Sequence, residues 1–183
     1  HPVAHSFPTR RSSDLAALGS VPAEYFAVGE NLGFETPFIR LMEWLVAGPS
    51  GMGTRSGEGA TVSLAHLHSG DHSDTVDWMA TAVPAWAAVD CNGSADLEGC
   101  FLGSDLAIVG WDDKGVDSLE VKDAVEGALQ AGVPVLYLHT WYEDTGPLSD
   151  ELSSLLGFSL PYGGNYWADD AAVWEGVSQT PDA

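Results

Sequence analysis

Residues 104–141 read SDLAIVGWDDKGVDSLEVKDAVEGALQAGVPVLYLHTW, and the fold follows from how this stretch is parsed. Residues 106–109 (LAIV) form a short apolar run closed by Gly110, and residues 133–138 (VPVLYL) form a second, rich in β-branched and aromatic side chains. Both are too short for helices and too uniformly apolar for half-exposed strands, so they read as strands buried on both faces. Between them, Asp117 and Glu120 have capping-box spacing. Val121, Ala124, Val125, Ala128 and Leu129 then recur on one helical face. Gly132 suits the left-handed stop, and Pro134 cannot continue a helix. Strand, helix and strand at this length make a βαβ unit with a right-handed crossover. Ligands of such folds lie beyond the carboxyl ends of the strands. Those ends carry Trp111, Asp112 and Asp113 after one strand and His139, Thr140 and Trp141 after the other.

The pattern extends outward from this unit. Residues 61–67 (TVSLAHL) read as a strand, followed by a helix capped by Ser73 and stopped by Pro84. Residues 85–89 read as a weaker strand. Upstream, residues 23–28 suggest a helical turn, and Thr36-Pro37 opens a helix ended by Gly48-Pro49. Pro147 opens a last helix with Leu148, Leu152, Leu155 and Leu156 on one face. Alternating strands and helices predict a three-layer α/β fold with a mostly parallel sheet, of flavodoxin or glutamine-amidotransferase-like topology. Residues 16–59 read as a helical segment with a Gly/Ser-rich loop, and 60–183 as the α/β domain.

Residues 5–15 (HSFPTRRSSDL) match one translated frame of a common sequencing-library adapter. The segment 1–15 is therefore expected to lie outside the fold, its first four residues being of unknown origin.

Composition narrows the function classes. The 183 residues include 6 Lys and Arg against 27 Asp and Glu, a net charge of −21. Such a surface repels phosphate backbones and argues against nucleic acid. No run of about eighteen apolar residues is present to span a membrane as a helix. Cys91 and Cys100 are the two cysteines of the chain and bracket a short polar loop. They read as a disulfide in an oxidising, extracellular or periplasmic compartment. The competing reading is a pair of thiols in a reducing one.

Three chemistries can be drawn on these residues. His66, His68, His72 and Asp71, with Asp112, Asp113 and His139, offer metal-ligating types, but the spacing matches no established pattern and polar rim residues are the simpler reading. Ser69, His139 and Asp112 sketch a triad, without the G-x-S-x-G elbow that would expose a nucleophile. Neither a dinucleotide fingerprint nor a P-loop is present. No catalytic residue, metal or cofactor is therefore assigned. Aromatic faces beside short polar groups suit sugars, which stack through C–H faces and bond through hydroxyls. Trp111, Asp112, Asp113, His139 and Trp141, with Asn165 and Trp167 from the tail, are the candidate ligand-binding residues. Against this stands packing alone, in which large aromatics merely close the top of the sheet.

The run GVPVLYLHTWYED, then LLGFS, then YGGNYWADDA resembles the N-terminal domain of immunomodulating metalloproteases. ATVSLAHLHSGD and CNGSADLEGCFLGSDLAIVGWDD are compatible with the same family. The resemblance implies an accessory α/β module of a secreted or cell-surface zinc metallopeptidase that cuts O-glycosylated proteins such as mucins. Its partners would be a glycan or glycopeptide and the catalytic module of the same polypeptide. The His-Glu-x-x-His of the family's zinc site is absent from these residues, so no catalytic residue carries over. Two alternatives stay open: a small hydrolase of amidotransferase-like fold, although the Cys nucleophile of those enzymes is missing, and a structural spacer.

Overall fold

The computed structural model describes residues 15–18, 23, 26, 29, 32–47, 59–67, 69–110, 118–138, 151, 152 and 155. Its centre is a parallel sheet built from β1 (Leu15–Leu18), β2 (Thr61–Ala65), β3 (Ala87–Asp90), β4 (Leu106–Val109) and β5 (Val135–Leu138). Their order across the sheet is β1-β5-β4-β2-β3, and every adjacent pair is parallel. All residues of β4 and β5 are buried, as their unbroken apolar runs require of strands covered on both faces.

Helices α1 (Leu32–Ala47), α2 (Ser69–Ala82), α3 (Leu97–Leu102) and α4 (Ser118–Ala131) supply that cover. Val62, Leu64, Leu106, Ile108, Leu136 and Leu138 face one layer with Phe38, Met42 and Leu45 of α1 and Trp78 and Met79 of α2. Ala107, Val109, Val135 and Tyr137 face the other, with Leu97 and Phe101 of α3 and Val121, Ala124, Val125 and Ala128 of α4. Successive strand residues point to opposite faces, and so each strand feeds both cores. Within the first core Phe26, Phe38 and Trp78 stack at tilted angles, with ring centroids 5.3–6.0 Å apart. Trp78 Nε1 donates to Glu35 Oε1 at 2.9 Å, joining α2 to α1. Ser63, fully buried, is satisfied by donating to the Cys100 carbonyl and by a hydrogen bond with Ser104 Oγ. At the opposite end of the strands, Asp105 Oδ2 accepts from the Thr61 amide at 2.8 Å and aligns the starts of β2 and β4.

The βαβ unit stands where the sequence puts it. Gly132 ends α4 with φ +88°, and Glu120 lies in the helix's first turn; Asp117 lies outside the described residues. Several elements differ from expectation. Helix α1 begins a turn before the expected Thr36 cap, with Pro37 inside it. There it removes the bond its N–H would have made to the Gly33 carbonyl, a local cost of interior proline set against the burial of Phe38, Met42 and Leu45. Helix α2 starts at Ser69 rather than after Ser73. The loop after Cys91 runs into α3, which carries Cys100 and is capped by Asp96 Oδ1 accepting from Gly99 N at 2.8 Å. Strand β1 has no counterpart among the elements expected from the sequence. Its first residue, Leu15, pairs with Val135 and is half-buried, so the last residue of the adapter-like segment belongs to the sheet. The sheet likewise runs across the expected 59/60 boundary. The strand order is not the 2-1-3-4-5 of a flavodoxin, because the chain's first strand lies at the far edge beside β5.

This arrangement separates Leu15 from the residues before it. A chain beginning at Leu15 is expected to melt within about 2 °C of the full chain. One beginning at Gly19 loses the β1 ladder and should melt about 4–8 °C lower, at roughly 1 kcal/mol per lost hydrogen bond. Differential scanning calorimetry of both chains checks this.

Candidate functional site

The crossover from β2 to β3 runs one way along the sheet, and that from β4 to β5 runs the other. With both crossovers right-handed, α2 and α4 fall on opposite faces. The carboxyl ends of β2 and β4 are left between diverging connections, which is where open α/β sheets bind ligands. The strands end level, with Ala65 opposite Val109 and Leu64 opposite Asp90. The Gly110 amide donates to Ala65 O and the Cys91 amide to Leu64 O, both at 2.9 Å, carrying the ladder one residue past the strands.

His66, directly after β2, has φ +56°, the one non-glycine residue in the left-handed region among the described residues. Histidine visits this region more readily than most side chains, yet the conformation still costs on the order of 1–2 kcal/mol. It is held from outside: Asn92 Oδ1 accepts from the His66 amide at 2.7 Å. Asn92 is itself fixed, its amide donating to Asp90 Oδ1 at 2.8 Å. Between those two residues sits Cys91, buried and bonded to Cys100 on α3. The expected disulfide thus forms and ties the Asn92 loop to the second core. Closing a loop of this length contributes on the order of 2–3 kcal/mol by the chain-entropy argument.

His72, on the first turns of α2, points its Nε2 toward Asp90 Oδ1 at 3.4 Å. The ring nitrogen is sealed from solvent and has no hydrogen-bond partner among the described residues, so the approach to Asp90 is close but misaligned. Gly110 closes the opposite wall. A Cβ there would overlap Leu67 Cδ2 and come within 3.1 Å of His66 O and Leu67 Cα.

The structure therefore brings His66, His72, Asp90 and Asn92 together at one end of β2 and β3. Of the expected metal-ligating set, Asp71 lies in the first turn of α2, as does Ser69 of the sketched triad; His68 falls outside the described residues. No group of three or more His, Cys, Asp or Glu placed to share a metal ion occurs among the described residues. The candidate ligand-binding residues Trp111, Asp112, Asp113, His139, Trp141, Asn165 and Trp167 all lie outside the described residues. Their chain positions start one residue beyond Gly110 and one beyond Leu138, the end of β5. Sequence reading missed Asp90 and Asn92. The signal available was an Asp-Cys-Asn run at a strand end, with the cysteine as anchor. An open groove of about 440 Å³ between α3 and α4 is rimmed by Asp96, Glu98, Glu120 and Asp123. No described helix is long and apolar enough to cross a membrane.

A three-layer α/β domain with its polar constellation at the topological switch of the sheet is the class these features define. Residues 9–166 match the family described as the immunomodulating metalloprotease N-terminal domain, and the chain belongs to that family. It is similar to the immunomodulating metalloprotease of Pseudomonas aeruginosa, 29% identical over 143 residues, covering 78% of this chain and 14% of that protein. The chain thus spans about one-seventh of its relative's length. No solved structure matches.

The fit around Gly110 gives a direct test of the crevice geometry. Gly110→Ala should destabilise by about 1–3 kcal/mol through overpacking against Leu67 and the His66 carbonyl. Gly103→Ala, where a Cβ meets nothing nearer than 3.7 Å, should cost under about 1 kcal/mol. Urea denaturation of both variants distinguishes them.

Proposed function

We propose that this chain is the non-catalytic binding module of a secreted metalloprotease acting on O-glycosylated proteins, and that it holds glycan or glycopeptide at the carboxyl ends of its strands. The observation that carries this reading is the switch point between β2 and β4, in a domain of a metalloprotease family. The polar group at its rim (His66, Asn92, Asp90) supplies donors and acceptors of the kind hydroxyls need. Trp111 and Trp141 follow the adjacent strands β4 and β5 in the sequence, and aromatic faces beside such groups suit sugar rings. Asp112, Asp113, His139, Asn165 and Trp167 complete the proposed wall. The disulfide fits an oxidising compartment. A catalytic zinc needs three fixed ligands and an open position, and the module itself carries no His-Glu-x-x-His.

Titration of a mucin-type O-glycopeptide, followed by Trp fluorescence, should give saturable binding in the full chain. Trp141→Ala should weaken it by roughly tenfold, the effect of losing one stacked aromatic face. The chain alone should cleave no peptide, with or without added zinc. Absence of binding at millimolar glycopeptide would favour the spacer. Hydrolysis of an ester or amide that disappears in His139→Ala would favour the hydrolase.

A further inference from the structure

Three separate restraints meet on one residue, His66, through the peptide units on either side of it. The His66 amide is held by Asn92 from the β3 side. Asn92 is held by Asp90 and by the buried, disulfide-bonded Cys91 next to it. On the other side Gly110 packs so closely that no side chain fits between it and the His66 carbonyl. The result is a left-handed backbone at His66, which glycine would adopt without strain. Glycine is plentiful in this chain, at 21 residues, yet an imidazole occupies the position. The strained conformation fixes where that imidazole starts, just past the end of β2 at the switch point. Non-glycine residues held this way concentrate where a side chain is presented to a ligand.

We propose that His66 is a ligand-contacting residue of the crevice, that Asn92 is its positioning residue, and that the ligand is a neutral saccharide. This rests on the binding reading above and assigns its contacts to described residues. The ligand class follows from the groups present. Imidazole, carboxamide and a half-exposed carboxylate at Asp90 offer donors and acceptors at short range, as hydroxyls require. The net charge of −21 works against anionic ligands.

The experiment uses the full chain and one probe, a Thr/Ser-rich peptide carrying O-linked N-acetylgalactosamine, measured by isothermal titration calorimetry. His66→Asn keeps a residue that tolerates the left-handed region and removes the imidazole. It should fold with an unchanged Tm and bind roughly tenfold or more weakly. His66→Gly, free of backbone strain, should be at least as stable and equally weak in binding. Asn92→Ala should lose affinity as well. Asn92→Asp, whose carboxylate still accepts from the His66 amide, should restore it. If wild type binds and both His66 variants bind equally well, the His66 assignment falls while the binding reading stands. If both variants lose Tm in proportion to affinity, His66 is structural and the assignment also falls. If wild type fails to bind, both readings fall together.

Discussion

The parallel pairing of β2 with β4 is the contact on which the rest of this domain depends. These strands are adjacent in space, but the chain visits β3 between them. Each leaves by a crossover of fixed hand in the opposite direction, so their helices must occupy opposite layers. One core then forms from α1, α2 and one side of the sheet. The other forms from α3, α4 and the opposite side. The same handedness leaves the two strand ends between diverging connections, the position at which open α/β sheets in general bind ligands. Asp105, bridging to Thr61, fixes the strand starts; Gly110, donating to Ala65, fixes the ends.

The disulfide connects this geometry to the site. Cys91 is the first residue after β3, and its partner lies on α3 beneath the second layer. The bond therefore spans from the sheet's edge to a helix of the far core. Its immediate neighbours, Asp90 and Asn92, are the residues that reach across to His72 and His66. The bond holds Cys91, and with it the residues on either side, against the second core. In the reading developed here, its larger effect is on the pre-organisation of those residues, since a ligand meeting a rigid surface need not order it first.

How much of this was legible in the sequence depended on how locally each feature is determined. The unit from Leu106 to Leu138 was readable because burial, capping and the Gly132 stop all lie within it. Strand β1 was not, because LAAL has no strand alternation and little β preference; it is a strand because β5 offers it an edge. Helix α3 is six residues long, too short for periodicity, although Asp96 as cap and the Leu97–Phe101 spacing were a usable signal. Strand ends with Trp111 and His139 were located by topology alone, which tells where a ligand goes but not what the side chains do. The left-handed turn at His66 was invisible for a physical reason: the group that holds it, Asn92, is 26 residues away. Family membership, by contrast, was carried by residues outside the sheet ends as well as within them, and the match over residues 9–166 bears it out.

The central claim is that this module binds glycopeptide at the carboxyl ends of its strands. Mapping amide chemical-shift changes in the isotopically labelled chain during addition of an O-glycopeptide tests it most directly. The account predicts changes at the His66, Asn92 and Gly110 amides, together with the residues following β4 and β5. The Thr61 and Asp105 amides at the opposite edge should stay unmoved. Changes confined to that opposite edge, or a spectrum unaltered at millimolar ligand, would contradict it.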